Sequence, residues 1–327
     1  MQKPRVYITR KLPEYLLEPY ASKFDFRVWH KEDEPVPRDV LLEEIQHADG
    51  LLCMLTEQID DELLEAGRRL KVVANLAVGY DNIDVETAHA KGVVVTNTPD
   101  VLSETTADLT LALLMATARR IVEANDLIRR DYWRNWSPFL LAGTDIHHKT
   151  IGIVGMGRIG QAVARRAKGF GMKILYHNRS RNYKAERALD ATYVTFDELL
   201  RESDYVVSMV PLTDETVHMF NRDAFQKMKP TAIFINTSRG GVMDEEALYE
   251  ALQQKDITAA GLDVFETEPI RADHPLLELD NVVCLPHIGS ASVETRTNMV
   301  TLCLDNLQGV LYGNGPKTPV TLSPLEK

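Results

Sequence analysis

Ile151-Gly-Ile-Val154 runs directly into Gly155-Met-Gly-Arg-Ile-Gly160, and an amphipathic stretch follows from Gln161 to Phe170. The first four residues form a short apolar run, as in a strand buried on both faces of a parallel sheet. The stretch after the glycines reads as a helix. A GxGxxG spacing alone is weak, but between a strand and a helix it is specific. Gly155 allows the tight turn, Gly157 lets the backbone approach a pyrophosphate, and Gly160 lets helix and strand pack closely. The free N–H groups and positive dipole of the helix start, around Arg158 and Ile159, then face the phosphates. The stretch therefore predicts a dinucleotide site.

The next strand selects the dinucleotide. Versions that bind NAD place Asp or Glu about 20 residues on, to hold the ribose 2′-hydroxyl. Here that strand ends Tyr176-His177-Asn178-Arg179-Ser180-Arg181. Asn178 stands where the acid is expected, and two arginines follow. A carboxylate would repel a 2′-phosphate, whereas guanidinium groups bind one through paired hydrogen bonds. The expectation is NADP(H) in preference to NAD(H).

Working outward, further apolar runs after position 150 read as strands: Lys173 to His177, Tyr205 to Met209, Ala232 to Asn236, Ala259 to Asp263 and Val282 to Leu285. Before position 100 the same reading gives strands at Val6 to Thr9, Asp49 to Met54, Lys71 to Asn75 and Val93 to Asn97. Helices or turns are expected over Leu12 to Phe24, Leu41 to Ala48 and Val85 to Lys91. Alternation of strand and helix implies parallel sheets covered on both faces. A long helix is expected from a cap at Ser103 to about Ile121, bridging two domains. The amphipathic run Ala291 to Leu311 would return the chain to the first domain. Residues 1–100 and 290–327 thus form one discontinuous domain, with 101–289 inserted into it. Trp133, Trp136, Pro138 and Gly143 fall in a loop from Asp131 to His148 whose aromatic content calls for a packing partner.

Bulk properties narrow the function classes. At 327 residues, 44% apolar and 26% charged, the chain has the make-up of a folded two-domain protein. The formal charge of −11 argues against sequence-independent nucleic-acid binding. Cys53, Cys284 and Cys303 are dispersed in apolar stretches, which favours buried thiols over a disulfide framework or a metal site. The N-terminus lacks the apolar core of a signal peptide. The apolar segment Ala107 to Ala118 is too short for a membrane span and carries Asp108. A cytoplasmic location is expected.

Three polar stretches follow successive strands of the second half: Asn236-Thr-Ser-Arg239-Gly-Gly, Gly261-Leu-Asp263-Val-Phe-Glu-Thr-Glu268-Pro and Leu285-Pro-His287-Ile-Gly289-Ser. In a doubly wound sheet the carboxyl ends of the strands form the ligand crevice. Arg239, Glu268 and His287 can therefore converge there. Reduction of a 2-oxo acid needs a proton donor, a polarised carbonyl and an anchored carboxylate. His287 suits the first task, since imidazole ionises near pH ~6.5. A neighbouring Glu268 carboxylate would favour the charged imidazolium. Arg239 suits the other two, because its fork is always protonated.

With these motifs in place, the sequence resembles the D-isomer-specific 2-hydroxyacid dehydrogenases, and within them the glyoxylate/hydroxypyruvate reductases. The resemblance rests on Asn75-Leu-Ala-Val78-Gly79-Tyr-Asp-Asn-Ile-Asp84, the glycine loop, and the Arg/Glu/His set. It implies an α/β fold of two doubly wound parallel-sheet domains, a Rossmann cofactor domain inserted into a flavodoxin-like substrate domain. It implies that Arg239 orients substrate, that Glu268 pairs with His287, and that His287 donates the proton. The backbone amides of Val78 and Gly79 would bind the substrate carboxylate. A compact pocket near Leu55, Val78 and Trp136 would favour glyoxylate and hydroxypyruvate, and the resemblance implies that Trp136 comes from the partner subunit of a homodimer joined through the cofactor domains. Asp263 would contact the nicotinamide carboxamide, and Thr106, Pro211, Thr237 and Gly289 join the cofactor contacts. No metal is implied. The end of the chain soon after the returning helix leaves no place for the regulatory domain of many phosphoglycerate dehydrogenases. Nor is a long N-terminal extension of the formate dehydrogenase type evident. Other substrates (phosphoglycerate, D-lactate, 2-ketogluconate) are the nearest alternatives. A nucleotide-sensing binding protein, like the corepressors of the same family, is the alternative from another class.

Overall fold

The computed structural model describes residues 3–321. The chain divides into two compact units, one running to Leu102 and resuming at Ser292, the other spanning Ser103–Ala291.

The first unit is built on five parallel strands: Arg5–Ile8 (β1), Asp25–Val28 (β2), Gly50–Cys53 (β3), Val72–Asn75 (β4) and Val94–Thr96 (β5), ordered β2-β1-β3-β4-β5. The side chains of β3 and β4 are wholly buried, as expected of strands covered on both faces. The helix Val293–Leu311 packs on this sheet. Gly50 makes its close approach possible, since a Cβ there would lie 2.9 Å from the Leu307 side chain. β2 was not expected from the sequence. It is an edge strand whose residues alternate between exposed and half-buried, so Asp25-Phe-Arg-Val lacks an apolar run.

The second unit carries seven parallel strands: Thr150–Val154 (β6), Lys173–His177 (β7), Ala191–Tyr193 (β8), Tyr205–Ser208 (β9), Ile233–Asn236 (β10), Ala259–Leu262 (β11) and Val282–Cys284 (β12). Their order is β12-β11-β10-β9-β6-β7-β8, so the direction of winding reverses between β6 and β9. Alternate residues serve different cores. Ile151, Ile153, Val207 and Ile235 pack with the helices Ser103–Ala118 and Arg158–Gly169. Val154, Val206 and Phe234 pack on the other face with Phe220, Phe225 and Leu248. β8, a three-residue edge strand, also escaped the sequence reading.

The helix expected from a Ser103 cap to Ile121 differs in two respects. Ser103 is its first helical residue, and the helix stops at Ala118. Arg120 adopts a left-handed backbone (φ 52°), and a second helix, Ile121–Arg129, sets off from it. The break is fixed by the returning loop. Thr144 N–H donates to Ala118 O at 2.8 Å, and a Cβ on Gly143 would lie 2.1 Å from that carbonyl. The whole first helix falls in the second unit. No helix among the described residues is long and apolar enough to cross a membrane. Cys53 and Cys303 are buried and Cys284 half-buried.

Candidate active site

At the winding reversal, β6 ends in the glycine loop. Gly155 has φ +107°, and a Cβ there would sit 2.5 Å from Met209 O. A Cβ on Gly160 would sit 2.1 Å from Gly155 O, so the helix can approach the strand only with hydrogen at this position. Gly157 is different, with no heavy atom within 4 Å of such a Cβ. The backbone at the start of the Arg158–Gly169 helix is therefore open to a ligand. Arg158 is exposed and Ile159 half-buried at that start. Loop and neighbouring strand are tied together: Gly155 N–H donates to His177 O at 2.9 Å, and Met156 N–H donates to Asn178 Oδ1 at 2.6 Å.

The two arginines after Asn178 differ in engagement. Arg181 binds Glu186 through Nε and Nη2 at 2.7 and 3.0 Å and lies over the rings of Tyr183 and Tyr193. Arg179 has an 87% exposed side chain and lies 3.5 Å from Glu215. Ser180 is exposed between them. No carboxylate occupies position 178, so this end of the loop presents an amide and an exposed cation.

Arg239, Glu268 and His287 lie beyond the carboxyl ends of β10, β11 and β12. Asn236 closes the turn after β10, donating from Nδ2 to Arg239 O at 2.9 Å while its Oδ1 accepts from Ser238 N–H. Gly240 seats this turn on the next loop, since a Cβ there would lie 1.8 Å from the Phe265 carbonyl carbon. Glu268 Oε1 accepts from Phe265 N–H at 2.9 Å, and Oε2 lies 2.7 Å from His287 Nδ1. A carboxylate oxygen only accepts, so Nδ1 carries the proton in this contact and Nε2 is the atom left for a ligand. His287 holds this orientation from a left-handed backbone (φ 52°), an uncommon state for a non-glycine residue. Burial pushes the Glu268 carboxyl up, but the His287 hydrogen bond and the charges of His287 and Arg239 outweigh it and hold Glu268 below its ordinary value.

Asp263 lies beside this set, 1% exposed. Its Oδ1 accepts from Ile288 N–H at 2.8 Å, while Oδ2 is buried without a partner. Burial raises its pKa despite the Ile288 amide and the His287 charge. A buried acceptor without a donor is costly and marks a place for a ligand N–H. Gly289 borders that oxygen, a Cβ there falling 3.2 Å from Oδ2 and 3.5 Å from Thr106. Thr110 links Thr106 to Thr237, donating to Thr106 O at 2.7 Å and bonding Thr237 Oγ1 at 2.8 Å. Pro211 is exposed just beyond β9, its carbonyl accepting from Thr216 Oγ1.

The remaining predicted positions fall in the first unit and in the 131–148 loop. Leu55, half-buried after β3, and Val78 and Gly79, half-buried after β4, belong to the first unit. Trp136 is 73% exposed in the 131–148 loop, and Trp133 and Phe139 are exposed with it. The sequence reading missed Asn236, and also Asn75 and Asn97, which donate to Gly79 O and Val78 O. Asn75 and Asn236 do carry a signal: each is a polar residue ending an otherwise apolar buried strand.

A glycine loop at a winding reversal, an orphaned buried acceptor and an acid–imidazole pair together define a nicotinamide-dinucleotide oxidoreductase. Residues 111–289 match the model of the D-isomer specific 2-hydroxyacid dehydrogenase NAD binding domain. The glyoxylate reductase of Thermococcus onnurineus is 51% identical over 322 residues, 97% of this chain and 96% of that one. Among solved structures, the TT0316 protein of Thermus thermophilus superposes with a TM-score of 0.91 at 43% identity, covering 97% of this chain and all of that one. The NADPH-dependent glyoxylate/hydroxypyruvate reductase of Sinorhizobium meliloti, solved with NADP and malonate, superposes at 0.84 with 35% identity, covering 98% and 97%. The chain belongs to the D-isomer specific 2-hydroxyacid dehydrogenase family. It is an NAD(P)-dependent oxidoreductase that acts on 2-oxo acids.

Proposed function

We propose that the protein is an NADP(H)-preferring reductase of small 2-oxo acids, converting glyoxylate to glycolate and hydroxypyruvate to D-glycerate. The observation that carries this reading is the 2.7 Å contact between His287 Nδ1 and Glu268 Oε2, which leaves Nε2 to act on substrate. The names of the relatives and neighbours support the substrate class.

The residues present fit the cofactor. The open backbone at Gly157 and the first turn after it would hold the pyrophosphate. Asp263 Oδ2 would accept from the carboxamide of the nicotinamide, with Thr106, Thr237 and Gly289 around it and Pro211 along the cleft edge. Asn178 and Ser180 would take the ribose, and Arg179 the 2′-phosphate, with Arg181 joining if it leaves Glu186. That two-point pair, with Arg181 50% and Glu186 15% exposed, would first have to open. When bound, the reduced nicotinamide supplies a hydride to C2 of the oxo acid.

His287 then donates the Nε2 proton to the carbonyl oxygen as C2 takes the hydride. Glu268 balances the imidazolium before transfer and keeps the ring turned so that Nε2 is the donor. Arg239 forks across the carboxylate and carbonyl oxygens, polarising the one and anchoring the other. The amides of Val78 and Gly79 share the carboxylate, and Leu55 limits the length of the chain beyond C2. The exposed aromatic surface of Trp133, Trp136 and Phe139 supports a homodimer joined through the second unit, with Trp136 reaching the partner's pocket. We place the enzyme in the cytoplasm.

Parallel kcat/KM values for glyoxylate, hydroxypyruvate, pyruvate and 2-ketogluconate test the substrate reading. The first two should exceed the others by about tenfold or more, the scale of one or two missed packing contacts. A higher value for pyruvate or 2-ketogluconate overturns it. Tight NADPH binding with only trace turnover of all four would favour a nucleotide-sensing role.

A further inference from the structure

Three consecutive peptide carbonyls in the turn after β4 are each held by a different donor. Ala77 O accepts from Thr98 N–H at 2.9 Å, Val78 O from Asn97 Nδ2 at 2.8 Å, and Gly79 O from Asn75 Nδ2 at 2.8 Å. The donors come from the ends of β4 and β5, adjacent in the sheet. A trans peptide is planar, so its N–H points opposite to its C=O. Fixing the three carbonyls therefore fixes the directions of the Val78, Gly79 and Tyr80 N–H groups. Among the described residues none of these three amides has an acceptor. Successive backbone N–H groups in a turn are the element from which anion-binding concavities are built.

The clamps are themselves immobilised. Asn75 is wholly buried, and Cys53 Sγ donates to its Oδ1 at 3.5 Å, which fixes the amide with Nδ2 toward Gly79. Asn97 is pinned through its backbone: its N–H donates to Thr318 O at 3.3 Å, and Thr318 Oγ1 donates to its carbonyl at 2.7 Å. Thr318 is in turn held by the buried Asn306, which donates to its hydroxyl at 2.8 Å and accepts from its N–H at 3.0 Å. The segment after the last helix thus braces the strand end that carries Asn97.

We propose that Asn75 and Asn97 are positioning residues that hold the Ala77–Tyr80 turn as a pre-formed, uncharged cradle for the substrate carboxylate, with Thr318 as the brace behind Asn97. The inference rests on the reading that this turn takes the carboxylate, and deepens it by naming what sets its geometry. Pre-orientation matters because a cradle that must reorganise loses affinity for its anion. The cost of losing a clamp falls on recognition of the carboxylate. Cofactor affinity, set by the second unit's own residues, is left alone.

The test compares glyoxylate with its neutral methyl ester in the full-length wild type, Asn97→Ala and Thr318→Val. The half-exposed Asn97 can be truncated without opening the core, and the valine keeps the shape of threonine while removing the hydroxyl. Wild type should prefer glyoxylate strongly in kcat/KM. Asn97→Ala should cut that preference about tenfold through KM for glyoxylate, the scale of one lost hydrogen bond to a charge-binding group. Thr318→Val should cut it less, and kcat and the Kd for NADPH should stay within about twofold in both. If both variants keep the wild-type preference, or lose kcat and NADPH affinity together, the positioning role is wrong. If wild type itself shows no preference for glyoxylate over the ester, the carboxylate reading of the turn fails as well.

Discussion

The His287 ring meets Glu268 across 2.7 Å, Nδ1 to Oε2, with both side chains about one quarter exposed. The pair is shielded enough for the charges to feel one another and open enough for Nε2 to reach a ligand.

Replacing His287 by Ala should remove the proton donor and leave the cofactor site intact. General acid catalysis contributes about 10²–10⁴-fold, so kcat for 2-oxo acid reduction should fall in that range. The Kd for NADPH, read by fluorescence titration, should change by less than about twofold. A kcat within a factor of ~3 of wild type would mean that another group donates the proton.

Glu268→Gln keeps the hydrogen-bond geometry and removes the charge. Without that charge the imidazolium is less favoured, so the alkaline limb of the reduction rate should move to lower pH. Stability should follow the opposite end of the scale. The Glu268 carboxyl is held below its ordinary 4.5 in the folded protein, so its contribution is full above that pH and is lost as pH falls through the lowered value. The Tm gap between wild type and Glu268→Gln should therefore be widest at neutral pH and close in acid. Superimposable pH–rate curves would contradict the pairing.

Gly160→Ala places a methyl 2.1 Å from Gly155 O and 3.1 Å from the carbonyl carbon, both backbone atoms. Neither can yield cheaply, so the helix must lift from the strand at a cost of about 1–3 kcal/mol. Lower Tm and weaker NADPH binding should appear together, because the lifted helix also carries the phosphate-facing amides. Gly157→Ala meets no protein atom and should weaken NADPH binding with little change in Tm. Equal loss of stability in the two variants would contradict this division of roles.

Much of the sheet was legible because its strands are buried on both faces. Gly50–Cys53, Val72–Asn75 and Lys173–His177 announce themselves as apolar runs. The edge strands Asp25–Val28 and Ala191–Tyr193 do not, since they are short, pair on one side only and are partly exposed, which leaves no apolar run. The end of the first long helix was hidden for a different reason: its stop depends on Gly143 and Thr144, which dock on Ala118 from another loop. Arg239, Glu268 and His287 could be picked out because chemistry restricts the residue types. The asparagines that hold the turns show less: Asn75 and Asn236 stand out as polar ends of apolar strands, but the carbonyl each one bonds depends on the turn that follows. In hindsight Asn75 and Asn236 use one device in the two units. Each ends a buried strand and donates to a carbonyl a few residues on, at Gly79 and at Arg239.

Cofactor choice is where the structure refines the sequence reading most. Asn178 Oδ1 accepts from the Met156 amide and Arg181 pairs with Glu186, while Arg179 is the more exposed cation. The most direct measurement is kcat/KM for NADPH and for NADH with glyoxylate saturating, in wild type and in Asn178→Asp. The account predicts that wild type favours NADPH by about tenfold or more, as a charge-assisted contact to phosphate should, and that Asn178→Asp reverses the preference. A wild-type enzyme that uses NADH as well as or better than NADPH would contradict it.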